Sequence, residues 1–274
     1  METSRLDGKT VVVTGAGSGI GKETALLCAR RGADLGICDV AEEGLAKTEA
    51  AARAFGHRVL ARRIDVADRD QVGAFAELIH SEAGAIDLLV NNAGVGLGAG
   101  LLDTTLEDWD WIVGINLMGV VHGCHFFVPP MVERAQGHVV NVASMSGYIP
   151  SALLVAYTTT KFAVLGLSES LREELHEKGV GVTAVCPGFI NTPITRTSPM
   201  RGPSATPGVR ERIVKTYERR NYPPERVARN LLRAVARDRA VAPIAPEAWL
   251  AYWLKRVSPH VSAWVTRRLS AVAR

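Results

Sequence analysis

Apolar residues along the chain alternate between two spacings, one typical of buried strands and one typical of helices. Short runs such as residues 10–13 and 86–90 are apolar at nearly every position, as strands covered on both faces are. Segments between them, such as residues 69–83, place apolar side chains three and four positions apart, as on one helix face. This alternation predicts an α/β fold, in which a parallel sheet is covered by helices on both faces.

The same pattern gives bounds for the individual elements. We predict strands over residues 10–13, 34–38, 58–64, 86–90, 138–143, 180–186 and 241–244. Helices are predicted over 20–31, 41–55, 69–83, 106–128 and 154–178, the fourth ended by Pro129-Pro130 and the fifth by Gly179. Residues 1–245 are predicted to form one domain, followed by a basic, amphipathic helical extension over 246–274.

Residues 192–208 interrupt this alternation. The segment reads TPITRTSPMRGPSATPG and is rich in Pro, Gly, Ser and Thr. A long irregular stretch inside a compact domain is usually functional, so we predict a functional segment here, such as a lid.

Composition narrows the class of protein. The apolar fraction is 47%, which is enough for a sizeable globular core. Polar N-terminal residues do not resemble a signal peptide, and no stretch has the ~18 consecutive apolar residues of a spanning helix. We therefore expect a cytoplasmic protein. Its cysteines lack C-x-x-C spacing and lie in apolar runs, which favours buried, reduced thiols over disulfides or a metal site: Cys28, Cys38, Cys124 and Cys186.

Tyr157 and Lys161 are candidates for chemistry because a four-residue separation places them on one helix face. An ammonium beside a phenol favours the phenolate, so we expect Lys161 to lower the pKa of Tyr157 from its usual ~10. Ser144 follows a predicted strand and can present its hydroxyl nearby. Together they suit proton transfer at an alcohol or carbonyl oxygen, although a redox reaction needs a hydride carrier as well. A Tyr followed by Lys at this spacing also occurs by chance in many helices.

Residues 14–21, TGAGSGIG, follow a strand and open a helix, which is the context of a dinucleotide-binding loop. Glycine permits a tight turn and the close approach of a cofactor. The free N–H groups of the helix N-terminus favour a pyrophosphate. The residues predicted to contact the cofactor here are Gly15, Ser18, Gly19, Ile20 and Gly21.

Asp39 ends the second predicted strand, where a carboxylate can accept hydrogen bonds from ribose hydroxyls and would repel a 2′-phosphate. No Lys or Arg lies in the loop before Gly21, and Val40 follows Asp39. The sequence therefore favours NAD over NADP. The alternative is that Asp39 only starts a turn.

Three further polar positions are candidates for the same site. Asp65-Val66 follows the third strand, where either residue could contact the adenine edge. Asn92, Ala93 and Gly94 follow the fourth strand and are predicted to lie against the cofactor, whereas Asn91 could be purely structural. Asn116 lies inside a predicted helix, where Asn is unfavourable, so either a specific role or solvent exposure explains it.

In order and spacing, these motifs resemble those of the short-chain dehydrogenase/reductase family over about residues 7–195. The resemblance implies a Rossmann-type, doubly wound sheet of about seven parallel strands, nicotinamide-dependent redox at a hydroxyl or carbonyl, and a homodimer or homotetramer. The motifs that carry it are TGAGSGIG at 14–21, Asp39, Asp65-Val66, NNAG at 91–94, Asn116, Ser144, YTTTK at 157–161 and Pro187-Gly188.

The resemblance also implies roles. Tyr157 corresponds to the catalytic acid/base. Lys161 lowers its pKa and binds the nicotinamide ribose, so both residues also contact the cofactor. Ser144 polarises the substrate oxygen, and Asn116 maintains a proton-relay water. The segment expected to contact the nicotinamide contributes Pro187, Gly188, Ile190 and Thr192.

Residues near these motifs suggest an apolar substrate pocket without Arg or Lys. We expect a hydrophobic secondary alcohol or ketone, bound at Ser144. The predicted lining residues are Val95, Leu97, Tyr148, Ile149, Leu153 and Ile194. These side chains could instead simply build the cleft walls.

The C-terminal residues carry most of the positive charge. Residues 219–274 have a net charge of +9 and the preceding residues −5. Trp249, Trp253 and Val257 are predicted to form one apolar helix face, and Val261, Trp264, Val265, Leu269 and Val272 a second, with Arg267 and Arg268 offset from it. We favour packing of these faces on another subunit or on the domain itself. The alternative is a peripheral membrane contact through 247–274. Nucleic-acid binding is not expected.

Two other functions stay open. A catalytically silent nucleotide sensor or scaffold would need no Ser-Tyr-Lys set. An epimerase or dehydratase could use the same cofactor site without net redox. Net formation or consumption of NADH separates an oxidoreductase from both.

Overall fold

The computed structural model describes residues 1–264. Seven parallel strands form one sheet in the order β3-β2-β1-β4-β5-β6-β7. Their bounds are β1 Thr10–Thr14, β2 Asp34–Asp39, β3 Val59–Arg63, β4 Leu88–Asn91, β5 Gly137–Val142, β6 Val180–Pro187 and β7 Val241–Ile244. The predicted seven-stranded, Rossmann-type fold is confirmed, with strand bounds that differ from prediction by one or two residues.

Helices cover both faces of the sheet. Those described are α1 Gly19–Arg30, α2 Glu42–Arg53, α3 Arg69–Ala83, α4 Leu106–Val113, α5 Gly119–Glu133, α6 Val155–Leu175, α7 Ile194–Thr197, α8 Val209–Arg220, α9 Pro224–Ala236 and α10 Pro246–Val257. Helices α1, α2 and α9 bury one apolar core against the sheet, and α3, α5 and α6 bury a second on the opposite face. Gly179, with φ of 72°, lies just beyond the end of α6, as predicted.

The helix predicted to end at Val128 continues to Glu133, so that boundary was wrong. Pro130 has no N–H to donate to the carbonyl of Phe126. Nε2 of His80, on α3, lies 3.3 Å from that carbonyl oxygen, so the tautomer protonated at Nε2 supplies the lost donor. A tertiary contact thus compensates for Pro130.

The same long helix, Leu106–Glu133, contains a π-helical turn, Gly114–Met118, between α4 and α5. By length and mean hydropathy, 1.5 over its best window, it would qualify as a membrane-spanning candidate. Ile112, Phe127 and Met131, however, are fully buried inside the domain. Its apolar composition is thus explained by its position in the core of this fold.

Residues 192–208 lie against the loop that follows β4. Gly98 N donates to Pro199 O and Arg201 N donates to Gly98 O, each at 2.9 Å. The Arg201 guanidinium also binds both carboxylate oxygens of Asp108, at 2.9 and 3.1 Å. The segment is therefore fixed over the carboxyl edge of the sheet, and its role as a lid stays a prediction.

The C-terminal helix differs from prediction. Trp249 packs against Arg239 and Tyr252, whereas Trp253 and Val257 are 56% and 79% exposed, so the domain covers only the first residue of the predicted face. The helix contacts the domain instead through Ala248 and Tyr252. Of the second predicted face, Val261 and Trp264 are exposed, and Val265, Arg267, Arg268, Leu269 and Val272 lie outside the described residues.

Candidate active site

The loops that follow β1 and β4 are joined by one threonine. Thr14, the last residue of β1, accepts hydrogen bonds at Oγ1 from the N–H groups of Asn92 and Ala93, each at 3.0 Å. Nδ2 of Asn92 in turn donates hydrogen bonds to the carbonyl oxygens of Thr14, at 2.9 Å, and Gly15, at 3.1 Å. Strand order reverses between β1 and β4, the position where doubly wound sheets bind ligands.

Two glycines make this junction sterically possible. Gly15 has φ of 66°, and a Cβ there would lie 2.7 Å from the Cα of Ala93. A Cβ on Gly21 would lie 2.1 Å from the carbonyl oxygen of Gly15. The glycine pattern therefore serves loop-to-loop packing as well as cofactor approach.

Ser18 and the first turn of α1 face the open side of this junction. Ser18 is exposed and takes the N-cap position of α1, yet its side chain makes no capping hydrogen bond. No acidic residue lies in the first turn, which begins with Gly19 and Ile20. Thr192 lies across from it, since a Cβ on Gly19 would be 3.2 Å from Thr192 Cγ2. Thr192 thus lies against the N-terminus of α1, whose free N–H groups and lack of acidic side chains suit an anionic group.

The Asp39 carboxylate is hydrogen-bonded directly to the glycine loop. Its Oδ2 accepts from Gly17 N at 2.7 Å and its Oδ1 from Ala41 N at 2.8 Å. A Cβ on Gly17 would lie 2.9 Å from Oδ2, so only glycine lets the loop reach the carboxylate. These bonds fix its orientation and leave further lone pairs free to accept hydroxyl groups.

Asp65 and Val66 occupy the end of the neighbouring strand β3. Oδ1 of Asp65 accepts from Ala67 N at 2.9 Å, and Gln71 binds its backbone N–H. Val66 is 5% exposed and packs on Gly119, where a Cβ would clash with it. Both residues lie at the same sheet edge as Asp39, as the sequence predicts.

Lys161 is buried beneath the predicted catalytic tyrosine. It is 4% exposed, its Nζ donates to Val142 O at 3.0 Å, and Nζ lies 5.8 Å from the ring centroid of Tyr157. Burial lowers the pKa of Lys161 to about 8.

The Ser144 side chain lies close enough to the Tyr157 phenol to influence its pKa, so the structure brings together the pair that the sequence predicts. Burial raises the pKa of Tyr157, and the nearby Ser144 hydroxyl opposes that rise. The expectation that Lys161 lowers this pKa is thus wrong. The physical reason is that the phenol is desolvated while the buried Lys161 ammonium is directed at a backbone carbonyl.

Asn116 lies in the π-helical turn and is fully buried, so solvent exposure does not explain it. Its Oδ1 accepts from Val95 N at 2.8 Å, and its Nδ2 donates to Val95 O at 2.9 Å and Thr160 Oγ1 at 3.1 Å. A Cβ on Gly94 would lie 3.2 Å from Asn116 Oδ1 and 3.4 Å from Lys161 Nζ. Asn116 therefore joins the β4 loop to the helix of Tyr157 and Lys161.

The segment after β6 is fixed by the C-terminal helix. Oε1 of Glu247 accepts from Phe189 N at 2.9 Å and would lie 2.5 Å from a Cβ on Gly188. Its Oε2 accepts from Arg220 Nη2 at 2.9 Å. Pro187 ends β6, and Ile190 is 4% exposed within the core, so it supports this segment from below.

Two predicted substrate contacts are placed differently. Leu97 is 1% exposed in a core cluster with Ile112 and Ala156, so it does not face an open cleft. Tyr148 is buried and donates its hydroxyl to Ala248 O at 2.8 Å, since α10 offers an acceptor there. The other four predicted lining residues are half-buried: Val95, Ile149, Leu153 and Ile194.

Three residues near the site were not predicted. Thr14 opens the glycine motif, and a hydroxyl at the end of a strand was an available signal. No sequence signal pointed to Glu247, because Phe189, whose N–H it accepts, lies 58 residues earlier in the chain. Tyr217, on α8, packs edge-on against Phe189 at 5.3 Å, and burial together with nearby Tyr157 raises its pKa. Its phenol thus lies close to the predicted acid/base.

Comparison with known proteins agrees with this geometry. Residues 9–201 match the family model described as short chain dehydrogenase. "Probable oxidoreductase EphD" of Mycobacterium tuberculosis is 43% identical over 92% of the chain, which spans 44% of that relative's length. "3-oxoacyl-(acyl-carrier-protein) reductase FabG" of Thermotoga maritima is 38% identical over 71% of this chain and 79% of its own.

A solved structure is also similar over nearly the whole chain. A short chain dehydrogenase/reductase from Burkholderia phymatum, in complex with NAD, superimposes with a TM-score of 0.84 and 33% identity. The match covers 95% of this chain and 96% of that one.

Proposed function

The chain belongs to the short-chain dehydrogenase family of oxidoreductases, and on that premise we propose that it interconverts a hydrophobic secondary alcohol and its ketone with NAD as hydride carrier. The observation that carries the proposal is the convergence of Ser144, Tyr157 and Lys161 beside the glycine loop. The relative named as a 3-oxoacyl reductase acts on a ketone by its printed description, which supports the reaction class.

The residues present fit a dinucleotide. The glycine loop packs directly on Ala93 and Asp39, the α1 N-terminus lacks acidic residues, and the Ser18 hydroxyl is not used as a cap. We propose that Ser18 and the N–H groups of Gly19 to Gly21 bind the pyrophosphate, and that Asp39 accepts from the adenosine ribose. Thr192 and the Pro187–Ile190 segment would lie at the nicotinamide end, and Asp65, Val66 and Asn92 to Gly94 would complete the cleft.

We propose NAD rather than NADP because the Asp39 carboxylate is held towards the glycine loop by two backbone donors. A 2′-phosphate at that place would bring negative charge against a carboxylate that cannot rotate away without losing both bonds. The solved relative that contains NAD supports a nicotinamide cofactor.

In the oxidation direction, Tyr157 takes the proton of the substrate hydroxyl while Ser144 donates a hydrogen bond to the same oxygen as it becomes a carbonyl. Bound NAD⁺ supplies the hydride acceptor for the carbinol carbon. The buried position of Lys161 beside Gly94 would place its ammonium at the nicotinamide ribose. Reduction is the reverse, with Tyr157 returning the proton.

Asn116 is proposed as a positioning residue for this proton transfer. Its amide links Val95 to Thr160, one residue before Lys161, so it fixes the spacing between the β4 loop and α6. The water relay implied by the family resemblance would run beside it.

The proposed substrate is apolar because the half-buried side chains around Ser144 are Val95, Ile149, Leu153 and Ile194. Tyr217 and Phe189 add an aromatic wall. Residues 192–208 contain two cations, Arg196 and Arg201, which are paired with Glu218 and Asp108 and are not directed at a substrate anion. A panel of hydrophobic secondary alcohols and small polyols tests this, and a clear preference for polyols would refute it.

Assembly into a homodimer or homotetramer is part of the proposal. Trp111, Met118 and Phe162 are 37%, 39% and 38% exposed along the long helix and α6, which supports a subunit contact there. Sedimentation velocity of the full chain measures the state, and a monomer at micromolar concentration would refute it.

The function as a whole is tested by screening alcohols with NAD⁺ and ketones with NADH, using Tyr157→Phe as the blank. Turnover that consumes or releases NADH supports an oxidoreductase. Nucleotide binding without turnover would favour the sensor, and product formation without net NADH change would favour the epimerase or dehydratase.

A further inference from the structure

A basic cleft lies away from the candidate active site, between α9, β7 and the first turn of α10. It encloses a cavity of about 320 Å³. Its lining includes four arginines, Arg226, Arg233, Arg237 and Arg239, and no carboxylate. This is a concentration of one sign of charge that the fold itself does not require.

These four arginines differ from nearby arginines in the groups that they contact. Within residues 1–264, none of the four forms an ion pair with a carboxylate, whereas Arg172, Arg220 and Arg256 each do. Instead, Arg239 lies 5.6 Å from the Trp249 ring and Arg226 lies 4.9 Å from the Tyr222 ring. Stacking on aromatic rings orients a guanidinium and leaves its N–H groups able to bind an anion.

An apolar strip adjoins this cleft on α10. Trp249 lines the cleft, and the next residues along the outer side of the helix are Leu250, Trp253 and Val257, which are 70%, 56% and 79% exposed. Their spacing of three and four places them on one helix face. An exposed face of Leu, Trp and Val beside a cluster of arginines has the composition of an interfacial membrane-binding helix.

A second copy of the chain is a poor occupant for this surface. A two-fold contact would place the arginines of one cleft near those of the other. The open edge of β7 also lacks one of its donors. Ala240 O and Ile244 O face β6, so by alternation Val241 and Pro243 face the outer edge, and Pro243 has no N–H there.

We propose that the four arginines and the strip Leu250, Trp253 and Val257, together the basic-apolar face, dock on an anionic phospholipid surface. Guanidinium groups would bind lipid phosphates while the strip enters the headgroup boundary. The inference rests on charge and exposure and is independent of the redox chemistry.

The test is sedimentation of the full chain with vesicles of phosphatidylcholine alone or mixed with phosphatidylglycerol, at low and high salt. Binding should require the anionic lipid and weaken with salt. Arg233→Gln with Arg237→Gln should weaken it about thirtyfold, at ~1 kcal/mol for each charge near the surface. The matched control, Arg212→Gln with Arg219→Gln on α8, removes the same charge elsewhere and should bind like the wild type.

Trp253→Ser with Val257→Ser tests the apolar strip separately, and should weaken binding to anionic vesicles while NADH-linked turnover in solution is unchanged. Thermal unfolding of each variant shows whether it is folded. If the Trp253 and Val257 variant does not fold, the Arg233 and Arg237 variant still tests the proposal. Equal binding to both vesicle types, or equal loss in the control pair, would overturn the proposal. So would an oligomer that dissociates in these variants, or tighter binding to duplex DNA than to vesicles.

Discussion

The loops at the carboxyl edge of the sheet are fixed in two different ways on its two sides. The proposed nucleotide side, formed by residues 14–21, Asp39 and residues 91–94, is joined by hydrogen bonds between adjacent strand ends and through the Asp39 carboxylate. The nicotinamide side, residues 187–192, depends on Glu247, a carboxylate from the first turn of α10.

The difference between the two sides indicates how function is divided. Contacts on the nucleotide side form between strands that lie next to one another, inside the span that matches the family model. Glu247 lies beyond that span. We therefore expect the first side and the Ser-Tyr-Lys set to determine whether the reaction occurs, and the second to adjust how tightly the cofactor is held.

Loss of Tyr157 should have the largest effect. It tests whether the residues that perform the reaction lie inside the span that matches the family model. Tyr157→Phe removes the acid/base, so kcat/KM should fall by ~10²–10⁴-fold. Steady-state rates of NADH formation measure it. Tyr252→Phe, on α10, is the matched control and should retain turnover. Full activity of the Tyr157 variant would remove the proposed mechanism.

Ser144→Ala should have the next largest effect, a loss of about 10²-fold in kcat, because a donor to the developing oxyanion is removed. The pH profile adds a sharper test. The nearby Ser144 hydroxyl counteracts the burial that raises the pKa of Tyr157, so its loss should raise that pKa further. The acid limb of the oxidation profile should therefore move to higher pH, since more base is needed to form the phenolate.

Ser146→Ala is the control for this experiment. Only the backbone N–H of Ser146 contacts Ser144, so that variant should keep the wild-type pH profile. A Ser144 variant whose acid limb does not move, or moves to lower pH, would contradict the coupling of the two hydroxyls.

Asp39→Asn tests the nucleotide side by itself. Removing the carboxylate removes its repulsion of a 2′-phosphate, so the ratio of kcat/KM for NAD to that for NADP should fall by about 10²-fold. Asp70→Asn, an exposed position on α3, removes the same charge and should leave the ratio unchanged. A wild-type protein that prefers NADP would refute the assignment outright.

Among these variants, Glu247→Ala should have the smallest effect on the kinetics, and it should change KM rather than kcat. It removes a charge-assisted contact that is partly exposed, so the KM for NAD should rise by about tenfold or less while kcat changes little. Glu174→Ala, another exposed ion-paired glutamate, is the control. A collapse of kcat comparable to that of Tyr157→Phe would erase the distinction between the two sides.

Local patterns predicted the parts of the molecule that depend on neighbours in sequence. The strands, the glycine loop and the Tyr157–Lys161 spacing are of this kind, and the structure brings Ser144 to the same place. Family resemblance supplied the roles of residues that no periodicity could assign, such as Asn116.

The remainder depends on contacts between distant residues. The helix passes through Pro130 because His80 lies beside the freed carbonyl, and Leu97 is buried because Ile112 and Ala156 cover it. Glu247 reaches Phe189 from another part of the chain, and burial reverses the pKa shift expected for Tyr157. No spacing within the sequence encodes these pairings or their desolvation.

The central claim is that hydride moves between the cofactor and a carbinol carbon under acid/base control by Tyr157. Its most direct test is reduction of a ketone from the substrate screen with NADH deuterated at C4, followed by mass spectrometry of the alcohol. We expect one deuterium on the carbinol carbon, and no labelled alcohol with Tyr157→Phe. Alcohol that carries no label, or labelled alcohol formed at full rate by the Phe variant, would contradict the claim.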